Sequence, residues 1–397
     1  MVFFMVFLFS GILSLVRIIP YRMGLVSLLV IPLFFLYKIK VDRVLLAFTA
    51  LAGIVLISAY LNDSNLREIV LFGRTLIFSY LIYFLASRYL TEKTIIPVIR
   101  FCAFIAVLQL PVVFIQKQIY YRLPVDWTAG IGYHDFGFGT FNIKGDASMT
   151  FFLILLTIFI LFNEKRNYVI PYKWFVAVWL TITVLYTNSE VSKLTILGVW
   201  AVFLVYRLNI RRLLIAGFSL ILVVIFTWST GILKPAMDNL YAGIMRNMTA
   251  SSSTEERFLS GNYGRGAALL YYLNQDIKWF GDGPLKYYDP LNRAFTLGNT
   301  GHAFTYYAEI GIIGLTTSIL VLYLMGHAGR PLYTISMADV LNLLAILALS
   351  FVIFVMNDIS VILAYCIFSK AYLIPPKQKK HSTISENSLA VQPAIAG

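Results

Sequence analysis

Long apolar runs separated by short charged breaks fill most of this chain. They fall at about 1–16, 23–37, 44–61, 69–87, 94–115, 148–162, 174–187, 194–206, 213–230, 302–325, 340–356 and 359–374. Each run is a candidate helix, and several are shorter than the ~20 residues that cross a bilayer core untilted. No fixed-period repeat and no inverted pair of halves is visible. The expected fold is all-α: a polytopic integral membrane protein with about 12 transmembrane helices.

One stretch departs from that rhythm. Residues 231–301 form the longest polar segment and run straight into the apolar span that opens at His302. The chain therefore divides into transmembrane helices over 1–230, a large external helical loop over 231–301, transmembrane helices over 302–374, and a disordered cytoplasmic tail over 375–397. Inside the loop, Met237, Leu240, Tyr241, Ile244, Met245 and Met248 repeat at helical spacing, which suits a helix lying on the membrane surface. Ser253 and Glu256 stand in capping-box register. The glycine-rich stretch Gly261 to Gly266 breaks that helix, a second is expected from Ala267 to Phe280, and Gly281-Asp282-Gly283-Pro284 stops it. A membrane protein that keeps one folded hydrophilic loop is expected to place its chemistry there.

Composition agrees with the membrane reading. Hydrophobic residues make up 59% of the chain and charged residues 13%, and mean hydropathy is +0.79. A soluble core could not hide that much apolar surface. The net charge of +13 is spread over loops instead of collected on one basic element, so no nucleic-acid partner is expected. The cations follow a topology. Lys38, Lys40, Arg43, Arg88, Lys93, Lys165, Arg166, Lys173, Arg207, Arg211, Arg212, Arg330, Lys377, Lys379 and Lys380 fall on one set of loops, against seven on the other outside the long loop. The positive-inside rule places both termini in the cytoplasm and the 116–147 and 231–301 loops outside. The segment from Met1 to Val16 lacks a basic start or cleavage site and reads as a retained span. Cys102 and Cys366 both sit in apolar runs and read as small buried hydrophobes.

Several residues could carry chemistry. His302 opens the tenth span after Asn299-Thr300, which read as N-cap residues; near the outer interface its imidazole could accept a proton, or simply end a helix. Glu309 lies seven residues on, so it shares the His302 face about 10 Å deeper. An ionisable group at that depth is a functional candidate, or the partner of a buried Arg such as Arg74. Arg100 lies near the cytoplasmic end of its span and reads as structural. Arg265, flanked by glycines before a helix, suits a phosphate or diphosphate. Lys193 and Lys144, on outer loops, are further cation candidates. There is no Asp-x-Asp pair, P-loop or Gly-x-Ser-x-Gly elbow, and His134 and His327 have no metal-ligand spacing. No metal or cofactor is expected.

From Arg265 to Gly314 the sequence resembles the O-antigen polymerase and O-antigen ligase superfamily of bacterial envelope polysaccharide assembly. The likeness rests on Arg265 in a large loop, the Gly281-Asp282-Gly283 turn, His302 opening a span, and Glu309, Gly311 and Gly314 within it. Gly139-Thr140-Phe141-Asn142 and Ser189 extend it weakly, while Ala303 and Glu190 depart from the common pattern. The resemblance implies a membrane-embedded glycosyltransferase of the bacterial cytoplasmic (inner) membrane, its site facing the periplasm or cell exterior. Its donor would be a polyprenyl (undecaprenyl) diphosphate-linked oligosaccharide, its surroundings membrane lipid, and a chain-length regulator protein a further partner. Catalysis would fall to His302, Glu309 and Arg265, and diphosphate binding to Arg265, Arg74, Lys193 and Lys144. A polymerase of repeat units is the favoured activity. The alternatives are ligation of the glycan to lipid A core and, outside enzymes, a polysaccharide flippase or transporter.

Overall fold

A computed structural model describes residues 41–122, 137–141, 146–187, 189–207, 276–289, 294–295, 301–331 and 333–376. Nine α-helices lie within them: α1 (Arg43–Leu61), α2 (Leu66–Tyr89), α3 (Ile95–Ile119), α4 (Asp146–Phe162), α5 (Lys173–Tyr186), α6 (Glu190–Arg207), α7 (His302–Gly326), α8 (Met337–Ser350) and α9 (Ile359–Ser369). Among these residues the only strands are β1 (Tyr288–Asp289) and β2 (Ala294–Phe295), paired antiparallel. Each helix coincides with an apolar run of the sequence. The runs at 1–16, 23–37 and 213–230, the surface helix at 237–248, the 253–256 cap and the tail beyond 376 lie outside the described residues.

Local sequence explains where the helices begin. Asp42 caps α1 by accepting the amide of Leu45 at 2.8 Å. Asn65 and Glu68 cap α2 reciprocally, and Ser336 and Asp339 do the same for α8. Asp358 caps α9 through the amide of Val361. The expected helix over Ala267–Phe280 does not reach its proposed end, because 276–280 have no helical structure.

Packing inverts the soluble pattern. Leu46, Leu56, Ile77, Phe104, Phe114 and Leu194 are exposed on helix surfaces, while Ser58, Ser79, Gln109, Gln116, Thr150 and Thr157 are buried. Helix α4 is buried from Ala147 to Leu161 and forms the centre of the bundle, as a helix apolar on every face should. Around it pack α5, α6, α8 and α9. Helices α1, α2, α3 (continued as a 3₁₀ turn to Arg122) and α7 are long and apolar enough to cross a membrane, whereas α4, α5, α8 and α9 are shorter. Cys102 and Cys366 are both buried and free, as their apolar settings suggested.

The short helices mark a depth. Between α8 and α9 the chain runs irregularly through Phe351–Asp358. Ser79, thirteen residues into α2, donates to the Met356 carbonyl. At 1.5 Å per residue this junction lies about 20 Å along α2, well inside a bilayer. Ser148, near the start of α4, donates to Asp358 and so shares that depth. Residues 137–141 are buried beside α3, where two glutamines replace the missing backbone partners. Gln116 accepts from the Gly139 amide at 2.9 Å and donates to its carbonyl at 2.7 Å. Gln109 accepts from the Thr140 amide at 2.9 Å. Irregular backbone is tolerated at such depth only when protein groups satisfy it.

Candidate active site

The site is organised by a break in α7. Gly311 adopts φ 72°, ψ −174°, which interrupts the helix between its first nine residues and the rest. A continuous helix would bond the Ile312 and Ile313 amides to the Ala308 and Glu309 carbonyls. Instead, residues 278–283 insert. The Ile312 amide donates to Lys278 O at 2.9 Å and the Ile313 amide to Trp279 O at 3.3 Å. The freed carbonyls accept from the inserted strand of chain: Ala308 O from the Asp282 amide at 2.8 Å, and Glu309 O from the Gly283 amide at 3.0 Å. Ser58 of α1 also donates to Glu309 O at 2.9 Å, and Asn62 reaches Gly281 O at 3.2 Å. The Ile312 and Ile313 amides and the Ala308 and Glu309 carbonyls have thus all found partners.

Only glycine allows this approach. A Cβ on Gly281 would stand 2.4 Å from the Glu309 carbonyl carbon, and one on Gly311 would stand 2.2 Å from the Trp279 oxygen. Both glycines have positive φ as well, at 70° and 72°. Asp282 then holds the inserted turn by accepting from Lys278 and Tyr287.

The half-helix before the break carries the polar groups. His302, Tyr306 and Glu309 follow at spacings of four and three, on one face. All three are at most 1% exposed. The His302 amide donates to Ile353 O at 2.9 Å, which ties the N-terminus of α7 to the irregular junction between α8 and α9. The His302 ring lies 3.8 Å from that of Tyr306 and edge-on to Phe354. Both ring nitrogens of His302, the Tyr306 hydroxyl and both Glu309 carboxyl oxygens lack hydrogen-bond partners among the described residues. The amides of Leu285 and Tyr287 approach the Glu309 carboxyl without closing a hydrogen bond of normal geometry. Five unsatisfied polar atoms on one buried face would be expensive unless a ligand or water uses them.

His302 also lines a groove of about 450 Å³, whose other walls include Ile277, Phe304, Tyr307, Leu347 and Phe351. A cleft lined mostly by apolar groups beside one ring able to accept or donate a proton suits an amphiphile with a reactive polar end.

Three expectations need correction. The N-cap of α7 is Gly301, with no side-chain cap. His302 is buried against the α8–α9 junction instead of sitting at an open helix end, because Gly301 fits directly over the backbone of 350–352. Arg74 is exposed on α2 and forms no ion pair with Glu309. Lys193 pairs with Glu190 at 3.3 Å in the first turn of α6. Arg265 and Lys144 lie outside the described residues. Arg100 donates to Val169 O at 3.2 Å, the structural role expected of it. Among the described residues no group of His, Cys, Asp and Glu could hold a metal ion.

Sequence reasoning missed Tyr306, Gln109 and Gln116. The first was signalled by its position between His302 and Glu309, the others by two amide side chains seven apart in an apolar run. Fold and site define a class, a helical protein whose apolar helices suit a membrane. Beyond that class, no family model matches the chain, and neither a curated protein nor a solved structure is similar to it.

Proposed function

We propose that this protein is a membrane-embedded glycosyltransferase that polymerises lipid-linked oligosaccharide repeat units, as in O-antigen, capsule or exopolysaccharide assembly. One observation carries the reading. Gly281-Asp282-Gly283 and Glu309-Ile310-Gly311, the separated motifs of the resemblance, meet backbone to backbone and hold a half-helix that buries His302 without a partner.

The chemistry follows from an activated donor. An acceptor hydroxyl attacks the anomeric carbon of a glycan joined to polyprenyl diphosphate. The new C–O bond forms as the bond to the diphosphate oxygen breaks, and polyprenyl diphosphate departs with the electron pair. His302 takes the proton of the attacking hydroxyl and later releases it to water. Cations that hold the leaving group more tightly as its charge grows lower the barrier. Arg265 leads that group, with Lys193, Lys144 and Arg74 as further members. Ligation to lipid A core differs only in the acceptor.

A transporter or flippase is the second reading, and α7 itself favours it. Helices broken near mid-membrane, such as α7 at Gly311, are where transporters bind their substrates. The test is reconstitution of the purified protein with a polyprenyl-diphosphate-linked repeat unit. Polymer and free polyprenyl diphosphate should appear together, with and without EDTA, and His302→Ala should abolish both. Transbilayer movement of intact donor without release of polyprenyl diphosphate would establish the transporter instead.

A further inference from the structure

At the far end of α7 from His302 lies a separate cavity of about 640 Å³. Its walls include Asp42, Arg43, Tyr83, His327, Arg330 and Pro331, so it is much more polar than the His302 groove. It sits where α1 begins and α7 ends, with Asp42, Arg43 and Val44 from the start of α1 among its lining residues.

The charges are unevenly committed. Asp339 is held by both terminal nitrogens of Arg330, at 2.9 and 2.7 Å. Asp42 accepts from Tyr83 at 2.9 Å and from the Leu45 amide, and Lys370 lies close enough for their charges to act on each other. Arg43 makes no ion pair among the described residues. The cavity therefore keeps a surplus cation.

Two buried side-chain atoms of its lining residues also lack partners among the described residues: Nε2 of His327 and Nε of Arg330. Burial, then the charge of Arg330, holds the His327 ring below its usual value, and its other nitrogen faces the Tyr323 carbonyl. With that nitrogen turned to the carbonyl, a neutral His327 ring presents Nε2 as an acceptor. The Arg330 Nε–H is a bare donor. One orphan is matched by a donor such as a hydroxyl and the other by an acceptor such as a phosphate oxygen.

We infer that this cavity binds a phosphate that carries a neighbouring hydroxyl, a phosphoglycerol group above all, with Arg43 and the Arg330 Nε–H on the phosphate and His327 Nε2 accepting from the hydroxyl. Such a group occurs as a lipid headgroup or free in solution. A site at the end of a membrane-crossing helix is placed for the lipid. It shares no residue with the His302 site and stands whether or not that site transfers glycans.

The test is native mass spectrometry of the full chain in detergent, offered phosphatidylglycerol, phosphatidylcholine or free glycerol 3-phosphate. Phosphatidylglycerol should be retained over phosphatidylcholine. Arg43→Gln and His327→Phe should each weaken that retention about tenfold, the scale of one charge-assisted or buried hydrogen bond. Free glycerol 3-phosphate should compete, whereas dimethyl phosphate, which lacks a hydroxyl, should not; this contrast needs no variant to fold. Binding of glycerol 3-phosphate without the lipid would support the same chemistry with a soluble source. Equal retention of both lipids, competition by dimethyl phosphate, or sensitivity to Arg43→Gln alone would overturn the site.

Discussion

At the scale of single residues, the site depends on groups that have no neutral substitute. Gly281 and Gly311 combine positive φ with backbone contacts that leave no room for a Cβ. Alanine at either position should therefore destabilise the protein by about 3 kcal/mol or more, combining backbone strain with overpacking. Thermal unfolding in detergent would show it, and a loss under 1 kcal/mol would mean that the α7 break relaxes freely. Arg74 supplies the opposite case. Exposed and unpaired with Glu309, it should tolerate Arg74→Gln within about 0.5 kcal/mol of folding stability, and its effect on stability should add to that of Glu309→Gln. A coupling above that size in a double-mutant cycle would restore the ion pair. His302→Gln keeps a hydrogen-bonding side chain but cannot cycle a proton near neutral pH, so it should be as inactive as His302→Ala. Activity in the Gln variant alone would reduce His302 to orienting the acceptor.

At the scale of elements, the sequence was most legible where apolar runs were long. Arg43–Leu61, Leu66–Tyr89 and His302–Gly326 could be read to within a few residues because nothing in those runs competes with a helix. The break inside the last was hidden. Glu309-Ile310-Gly311-Ile312-Ile313-Gly314 reads as an uninterrupted helix, and it is the distant 278–283 segment, with Ser58 of α1, that supplies the partners that make breaking it favourable. The search for a partner to Glu309 was misdirected because an in-membrane carboxyl invites a cation, while among the described residues only the amides of Leu285 and Tyr287 approach it, without a normal hydrogen bond. Buried glutamines show how such breaks are sustained. Gln116→Leu should leave both backbone groups of Gly139 unsatisfied and cost about 2–4 kcal/mol. A cysteine at Phe138 should then become reactive to a membrane-impermeant thiol reagent, and continued protection would deny the clamp its role.

At the scale of the whole molecule, the short helices, the irregular 351–358 junction and the buried 137–141 segment together lower the packed centre on one side of the bundle. His302 faces that lowered region, whereas the polar cavity at Asp42, His327 and Arg330 lies at the other end of α7. Under the proposed function, and by the positive-inside expectation for Lys and Arg, the first side faces the exterior. Cysteines introduced at Asn62 and Asp289 should therefore react from outside, and one at Tyr172 only after the membrane is opened. External labelling at Tyr172 would invert the molecule and move the His302 site to the cytoplasm, where a lipid-linked glycan awaiting polymerisation is not presented. The central claim is that His302 drives glycan polymerisation, and the surface glycan on a gel reports on it most directly. In a strain lacking this protein, the wild-type chain should restore a long-chain ladder. His302→Ala, expressed to the same level, should remove the ladder while an acceptor capped by a single repeat persists. A full ladder from His302→Ala, or single repeats stranded on the cytoplasmic face, would contradict the account.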